Sequence, residues 1–409
     1  MSFGTRTRSA VSPLRRQLVA SPLRRPTVDE VVSAERPDEP IHCFRPGIVA
    51  DIARDFVENF PGDVLYAVKC NPDPSVLRAL WNGGIRHFDC ASLSEVRLIR
   101  TMFADAAIHF MHPVKARGAI REAWAQHGVR DFVLDSVDEL AKIRNEVAAT
   151  GVAGALGLIV RIALPKGEAM LDLSGKFGAR GDEAASLLRD VRACAATVGV
   201  SFHVGSQCLD PLAWRAALAL AGQVIRTADV KVDVVDVGGG FPVAYPDQEP
   251  PPMGAFFAEI EAGFDSLDLP GARLWAEPGR ALVAAGTSVV VQVQARRGDA
   301  LYVNDGVYGS LADAGTLAFR YPVRLIRPDS DPAADTEGFS LFGPTCDSTD
   351  IMHGPFLLPA DVKEGDWIEI GQLGAYGACL RTAFNGFDHA RIIEVADAVP
   401  FVEPLRMAA

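Results

Sequence analysis

The sequence predicts an α/β fold, a (β/α)8 TIM-like barrel followed by a mostly β unit, on three observations. Eight short apolar runs recur between residues 64 and 277, each ends in a polar or charged residue, and helix-compatible stretches separate them. Continuous Val/Ile/Leu runs, rather than alternating ones, suit a sheet covered on both faces.

The runs span residues 64–69, 85–89, 107–112, 131–135, 155–161, 200–203, 232–236 and 273–277, with helical stretches such as 94–103, 183–198 and 214–227 between them. Chemistry in such barrels gathers at the C-terminal ends of the strands. Lys69, Asp89, His112, Arg161, His203, Asp236 and Glu277 end these runs, and about half of such residues are expected to touch a ligand. Past residue 280 the pattern changes: 289–294, 300–303 and 367–370 read as shorter, partly alternating strands between Gly, Pro and Asp turns. The expected organisation is an N-terminal arm (1–40) contributing to the β unit, a barrel (41–280) and a C-terminal β unit (281–409).

The chain has 409 residues, enough for two cores, and a net charge of −12. That acidity argues against a nucleic-acid partner and agrees with a cationic substrate. Residues 1–28 hold six arginines and no acid, a basic arm in which Pro13, Pro22 and Pro26 oppose an amphipathic helix. No apolar stretch is long enough to span a bilayer, so no membrane partner is expected. Seven cysteines without CxxC spacing and eight histidines without ligand spacing predict a reducing cytoplasm and no metal.

Four features carry chemistry. Lys69 closes the apolar run Val64-Leu65-Tyr66-Ala67-Val68, where desolvation is expected to depress its pKa and make the amine a nucleophile. The plain alternative is the first solvated residue after a strand. Gly238-Gly239-Gly240 directly follows the seventh run, where close backbone approach forms a nest for a phosphate. Glu277 ends the eighth run before Pro278-Gly279-Arg280; it would either pair with an arginine or face a pyridine nitrogen. His203-Val204-Gly205-Ser206-Gln207 offers a flat imidazole and a hydroxyl. A desolvated amine, an anion nest, a carboxylate and a planar side chain together describe pyridoxal 5'-phosphate.

Tyr66-Ala67-Val68-Lys69-Cys70-Asn71, Phe88-Asp89-Cys90-Ala91-Ser92, the 203–207 segment, Gly238-Gly239-Gly240-Phe241-Pro242 and Glu277-Pro278-Gly279-Arg280 resemble the alanine-racemase-fold pyridoxal phosphate decarboxylases. YVNDGVYGS (302–310), GPTCDSTD (343–350) and Phe384-Asn385-Gly386-Phe387 are similar to the branch acting on ornithine and related basic amino acids. The motifs stand in the expected order from about residue 40 to 390.

The resemblance implies that Lys69 is the Schiff-base lysine, that His203 stacks on the cofactor ring and that Glu277 holds the ring nitrogen. Ser206, Gly238, Gly239, Gly240, Arg280 and Tyr376 would bind phosphate, with Asp89 and Arg161 around the cofactor. Cys346 and Asp347 would enter from the second subunit of a head-to-tail homodimer with shared active sites, Cys346 as proton donor and Asp347 facing the substrate's distal amine. Lys176 would pair across the dimer with Asp350, and Phe384 would wall the site.

One departure stands out. The resemblance places a second substrate-binding aspartate where this chain has Leu317, and leaves Asp313 as its candidate replacement. The expected activity is decarboxylation of L-ornithine to putrescine. The alternatives are lysine or dual ornithine/lysine decarboxylation, then arginine or diaminopimelate decarboxylation, and a catalytically inactive regulatory homologue. Diaminopimelate decarboxylase normally reads Cys-Glu-Ser where this chain has Cys346-Asp347-Ser348.

Overall fold

The structure is a computed structural model that describes residues 24–396, apart from 168, 171–174 and 316, together with 401. Most of the basic arm, along with Leu173, Ser174 and Thr316 of the motif segments, lies outside the described residues.

Eight parallel strands close into a barrel: β2 (Asp63–Ala67), β3 (His87–Cys90), β4 (Ala107–Phe110), β5 (Asp131–Leu134), β6 (Gly157–Arg161), β7 (Thr197–Ser201), β8 (Val234–Asp236) and β9 (Arg273–Ala276). Closure runs through Asp63 opposite Trp275 and Val64 opposite Ala276. Leu65, Met111, Val133, Ile159, Val234 and Trp275 fill the lumen as their own cluster. The opposite strand faces pack on the helices, and this double coverage explains the continuous apolar runs. Side-chain caps at Ser92 and Ser136 start the helices Leu93–Met102 and Val137–Ala149, and Asp73 caps Pro74–Asn82.

The sequence reading needs corrections. The seventh helix ends at Arg192, and Thr197 and Val198 belong to β7, so the expected helix over 183–198 ran into the next strand. Gly199 lies between two close neighbours: a Cβ there would meet Ile159 Cγ1 at 2.9 Å and Val234 Cβ at 3.2 Å. Lys69 is not a strand end but sits in the single 3-10 turn Val68–Cys70 after β2.

The first strand, β1 (Ile41–Phe44), was expected within the barrel segment but lies outside it. It pairs antiparallel with β10 (Thr287–Arg297) and parallel with β16 (Arg391–Glu394). The rest of that sheet is β11 (Ala300–Val303), β12 (Val323–Ile326), β13 (Thr336–Phe342), β14 (Ile351–Pro359) and β15 (Trp367–Ile370), in the order β12-β15-β10-β11-β13-β14. Residues 289–291 and 367–370 are buried continuously rather than alternately. The helix Val28–Glu35 packs Val28, Val31 and Val32 against Val290, Ile326 and Trp367 of this sheet. Behind it, Arg45 and Glu369 form a buried ion pair at 2.8 Å, shared with Ser288. No helix among the described residues is long and apolar enough to cross a membrane.

His42 on β1 ties the N-terminal strand to the YVNDGVYGS segment: its Nε2 lies 3.0 Å from Ser310 Oγ. Burial, with help from Arg381 and against Asp305, presses its pKa to about 4. The unfolded imidazole titrates near 6.5, so between those values the unfolded chain binds the extra proton and stability falls as pH falls. His42 should therefore contribute a loss of about 2 kcal/mol between pH 7.5 and 5. Urea unfolding of the apoprotein at both pH values checks this; His42→Asn should flatten the pH dependence by a similar amount.

Candidate active site

The C-terminal mouth of the barrel opens into a cavity of about 670 Å³ between the strand ends and the β sheet. The Lys69 turn is held from both sides. Tyr66 Oη donates to Asn71 O at 3.0 Å, Asn71 Nδ2 donates to Gly374 O at 2.8 Å, and Tyr376 N–H donates to Cys70 O at 3.0 Å. Lys69 Nζ then lies 2.7 Å from Asp89 Oδ2 at the end of β3.

The protonation state of Lys69 is the reverse of the sequence expectation. Burial alone would depress its pKa, but Asp89 and Glu277 outweigh that effect and hold the amine protonated. Its side chain is 43% accessible within the cavity, whereas Asp89 is 1% exposed.

Glu277 follows β9 and is fixed through its N–H to Gly238 O at 2.8 Å. Burial, then Asp236 and Asp89, push its carboxyl well above the usual range. Burial likewise raises Asp236 to about 7, although Gly238 N–H donates to its Oδ1 at 2.9 Å. Asp89 Oδ1 is buried without a hydrogen-bond partner, and Asp236 shares a side-chain hydrogen bond with Glu277. Two of these acids, Asp89 and Glu277, act on the Lys69 ammonium, and Asp236 couples to Glu277 from the adjacent strand.

His203 stays neutral: burial, then the Arg161 and Lys69 cations, press its pKa to about 3. Its Nδ1 accepts the Gly205 N–H at 3.0 Å, so the ring presents a fixed, uncharged face. Arg161, at the end of β6, stands over the Phe177 ring at 5.7 Å.

The glycine triplet after β8 is a cradle that tolerates no side chain. Gly240 has φ +106° and a Cβ there would strike Gly205 O; at Gly239 it would sit 2.7 Å from Glu277 O and 3.2 Å from His203 Nε2. Beside it Arg280 is 5% exposed. Its Nη1 donates to Tyr245 Oη and its Nη2 to Asp313 Oδ2, both at 2.9 Å, while Nε has no partner. A bare glycine nest, an arginine with a free donor, a neutral flat ring and an acid in need of a cation fit pyridoxal phosphate. Among the described residues no group of three or more His, Cys, Asp or Glu could hold a metal.

Lys69, Arg161, His203, Ser206, Gly239, Gly240, Glu277, Arg280, Asp313 and Tyr376 line this one cavity, with Asp89 beneath Lys69 and Gly238 beneath the nest. Asp313 is a correction. It is nine-tenths buried in an ion pair with Arg280 and does not stand free for a substrate amine. Tyr245 is a residue that sequence reading missed, since nothing in its local pattern marks it as the second anchor of Arg280.

Cys346, Asp347 and Phe384 do not line the cavity. They form a separate patch on the β sheet: Tyr308 Oη donates to Asp347 Oδ2 at 2.5 Å, Asn385 Oδ1 accepts the Cys346 N–H at 3.0 Å, and the Tyr308 and Phe384 rings lie 4.8 Å apart. The Tyr308 hydroxyl holds the Asp347 carboxyl below its usual range. Asp350 is buried and accepts from Val307 N–H, Thr345 N–H and Thr345 Oγ1. Lys176 of another copy would therefore meet a carboxylate already engaged by three donors.

Comparison with known proteins agrees with this geometry. Residues 48–284 match the family "pyridoxal-dependent decarboxylase, pyridoxal binding domain". The chain is 34% identical to ornithine decarboxylase of Schizosaccharomyces pombe over 351 residues, 80% of this chain and 76% of that protein. It is 32% identical to lysine/ornithine decarboxylase of Selenomonas ruminantium, covering 79% of this chain and 81% of that one. Among solved structures, the arginine decarboxylase of Paramecium bursaria Chlorella virus bound to agmatine superposes with TM-score 0.78 at 27% identity, covering 90% of this chain and 99% of that one.

Gly239→Ala tests the cradle. The added Cβ should weaken pyridoxal phosphate binding by about tenfold or more, equivalent to ~1.4 kcal/mol. Absorbance titration of the apoprotein measures the loss, and an unshifted apoprotein melting temperature shows that the fold survives.

Proposed function

The chain belongs to the pyridoxal-dependent amino-acid decarboxylases, and from that premise we propose that it converts L-ornithine to putrescine and carbon dioxide, as a homodimer with shared active sites. The observation that carries this reading is the charge of the second patch. Asp347 is held anionic by Tyr308 and Thr349, whereas Leu317 stands where the family resemblance implies another carboxylate. One anion suits one distal ammonium. It opposes the distal carboxylate of diaminopimelate, and it lacks the second carboxylate that could share the charge of a guanidinium.

Bound pyridoxal phosphate supplies a carbonyl for the substrate amine and a cationic ring that takes the electron pair released as carbon dioxide leaves. In this reading the chain's own residues do the rest. Asp89 takes and returns the proton at Lys69 Nζ, 2.7 Å away, so that the amine can react and later leave. Glu277, which burial would otherwise keep protonated, would face the ring nitrogen as a carboxylate and keep that nitrogen charged. Neutral His203 covers one ring face without adding a competing cation. The Cys346 thiol of a second copy returns the proton to Cα.

Lys69 and Cys346 lie on separate patches, which supports completion of each site by another copy. No disulfide joins the cysteines among the described residues, in keeping with a reducing, cytoplasmic setting. An inactive homologue is disfavoured, because the lysine, nest and ring-facing acid all line one cavity.

Lysine is the serious competitor, since one methylene separates it from ornithine and a pocket resolves that difference by only about 1–3 kcal/mol. A competition assay with ornithine, lysine, arginine and diaminopimelate should give ornithine the highest kcat/KM, about tenfold above lysine. Equal or reversed values would reject ornithine as the preferred substrate. Lys69→Ala and Cys346→Ala should each be inactive alone. Mixed and reassociated, they should recover about a quarter of wild-type activity, because random pairing leaves one intact site in each mixed dimer. No recovery would refute shared sites.

A further inference from the structure

We propose that Asp313 is a positioning residue for the cofactor's phosphate, fixing the Arg280 guanidinium and docking the segment 311–321 of the β unit onto the phosphate end of the site. The inference rests on the cofactor part of the reading above and not on the identity of the substrate.

Arg280 follows β9 on the barrel, whereas Asp313 lies in the 3-10 turn Ala312–Ala314 beyond β11. Their side chains meet at 2.9 Å with 5% and 9% exposure, so neither charge has bulk water as its alternative partner. Removing either one would leave the other as an uncompensated buried charge. The same segment supplies a second hold. Asp313 O accepts the Phe319 N–H at 3.0 Å, and the Phe319 ring lies 4.8 Å from the Arg280 guanidinium. Tyr376 covers the guanidinium at 5.1 Å, and Tyr245 takes the other terminal nitrogen.

The result is an arginine anchored at both terminal nitrogens, with two rings against it and an Nε that has no partner. An arginine free to rotate would lose side-chain entropy on grasping a phosphate; this one has already been ordered by folding. Asp313 partly offsets the positive charge, so its contribution is orientation rather than attraction. A hydrogen-bond acceptor of the same shape should therefore substitute for it.

The test is equilibrium binding to the full-length apoprotein, read by absorbance, of pyridoxal phosphate and of pyridoxal, which lacks the phosphate. Asp313→Ala should weaken pyridoxal phosphate by about tenfold and leave pyridoxal unchanged. Asp313→Asn, which keeps an acceptor toward Nη2, should restore affinity to within about threefold of wild type. Wild-type affinity in Asp313→Ala, an equal loss for both ligands, or an Asp313→Asn variant as weak as the alanine would each overturn the assignment. So would a raised KM for ornithine with unchanged cofactor affinity, which would return Asp313 to substrate binding. If Asp313→Ala does not fold, Tyr245→Phe removes the other anchor and should give a smaller loss confined to the phosphorylated ligand; no such selectivity would refute the proposal. Because the readout is cofactor binding, failure of the ornithine assay leaves this test intact.

Discussion

The site is organised by a surplus of buried acid. Asp236 ends β8, Glu277 follows the adjacent β9, and Asp89 lies two strands on in β3; Asp89 and Glu277 both act on the Lys69 ammonium. Buried like charges within a few ångströms cannot all ionise, and two of the three are accordingly pushed up, Asp236 to about 7. A cationic pyridine ring would relieve that conflict by letting Glu277 ionise beside it. Cofactor binding is then driven by a defect in the protein's own charge balance, in addition to contacts with the phosphate.

The barrel was legible because burial on both faces leaves continuous apolar runs, and strand ends in that fold define where side chains converge. The glycine triplet and Glu277 could be read in the same way, since each follows directly on a strand. What the sequence could not show were relations across distance. The charge of Lys69 depends on Asp89, twenty residues on, and an apolar run by itself suggests only desolvation. Asp313 was visible as an acid in the right loop, but its partner Arg280 is 33 residues earlier and on the other unit. Tyr245 carried no local signal.

The sheet was harder for a related reason. β14 mixes buried and exposed positions around Gly354 and Pro355, and β1 is four residues whose partners begin near residue 287 and residue 391. Such non-local pairing leaves little trace in a short apolar segment. The first barrel boundary was therefore placed too early.

The two units are not independent neighbours. The segment 373–376 of the β unit holds the Lys69 turn through Asn71 and Cys70, and the segment 311–321 holds Arg280 through Asp313 and Phe319. One set of contacts fixes the amine end of the cavity and the other fixes the phosphate end. A phosphorylated pyridine held by Lys69 and Arg280 would engage both ends at once. It should therefore tighten the contact between the barrel and the sheet, while the fixed sheet in turn removes entropy that binding would otherwise have to overcome. That reciprocity also bears on the separate patch of Cys346 and Asp347. It is built on the sheet rather than the barrel, so its orientation depends on the same contacts that the cofactor strengthens.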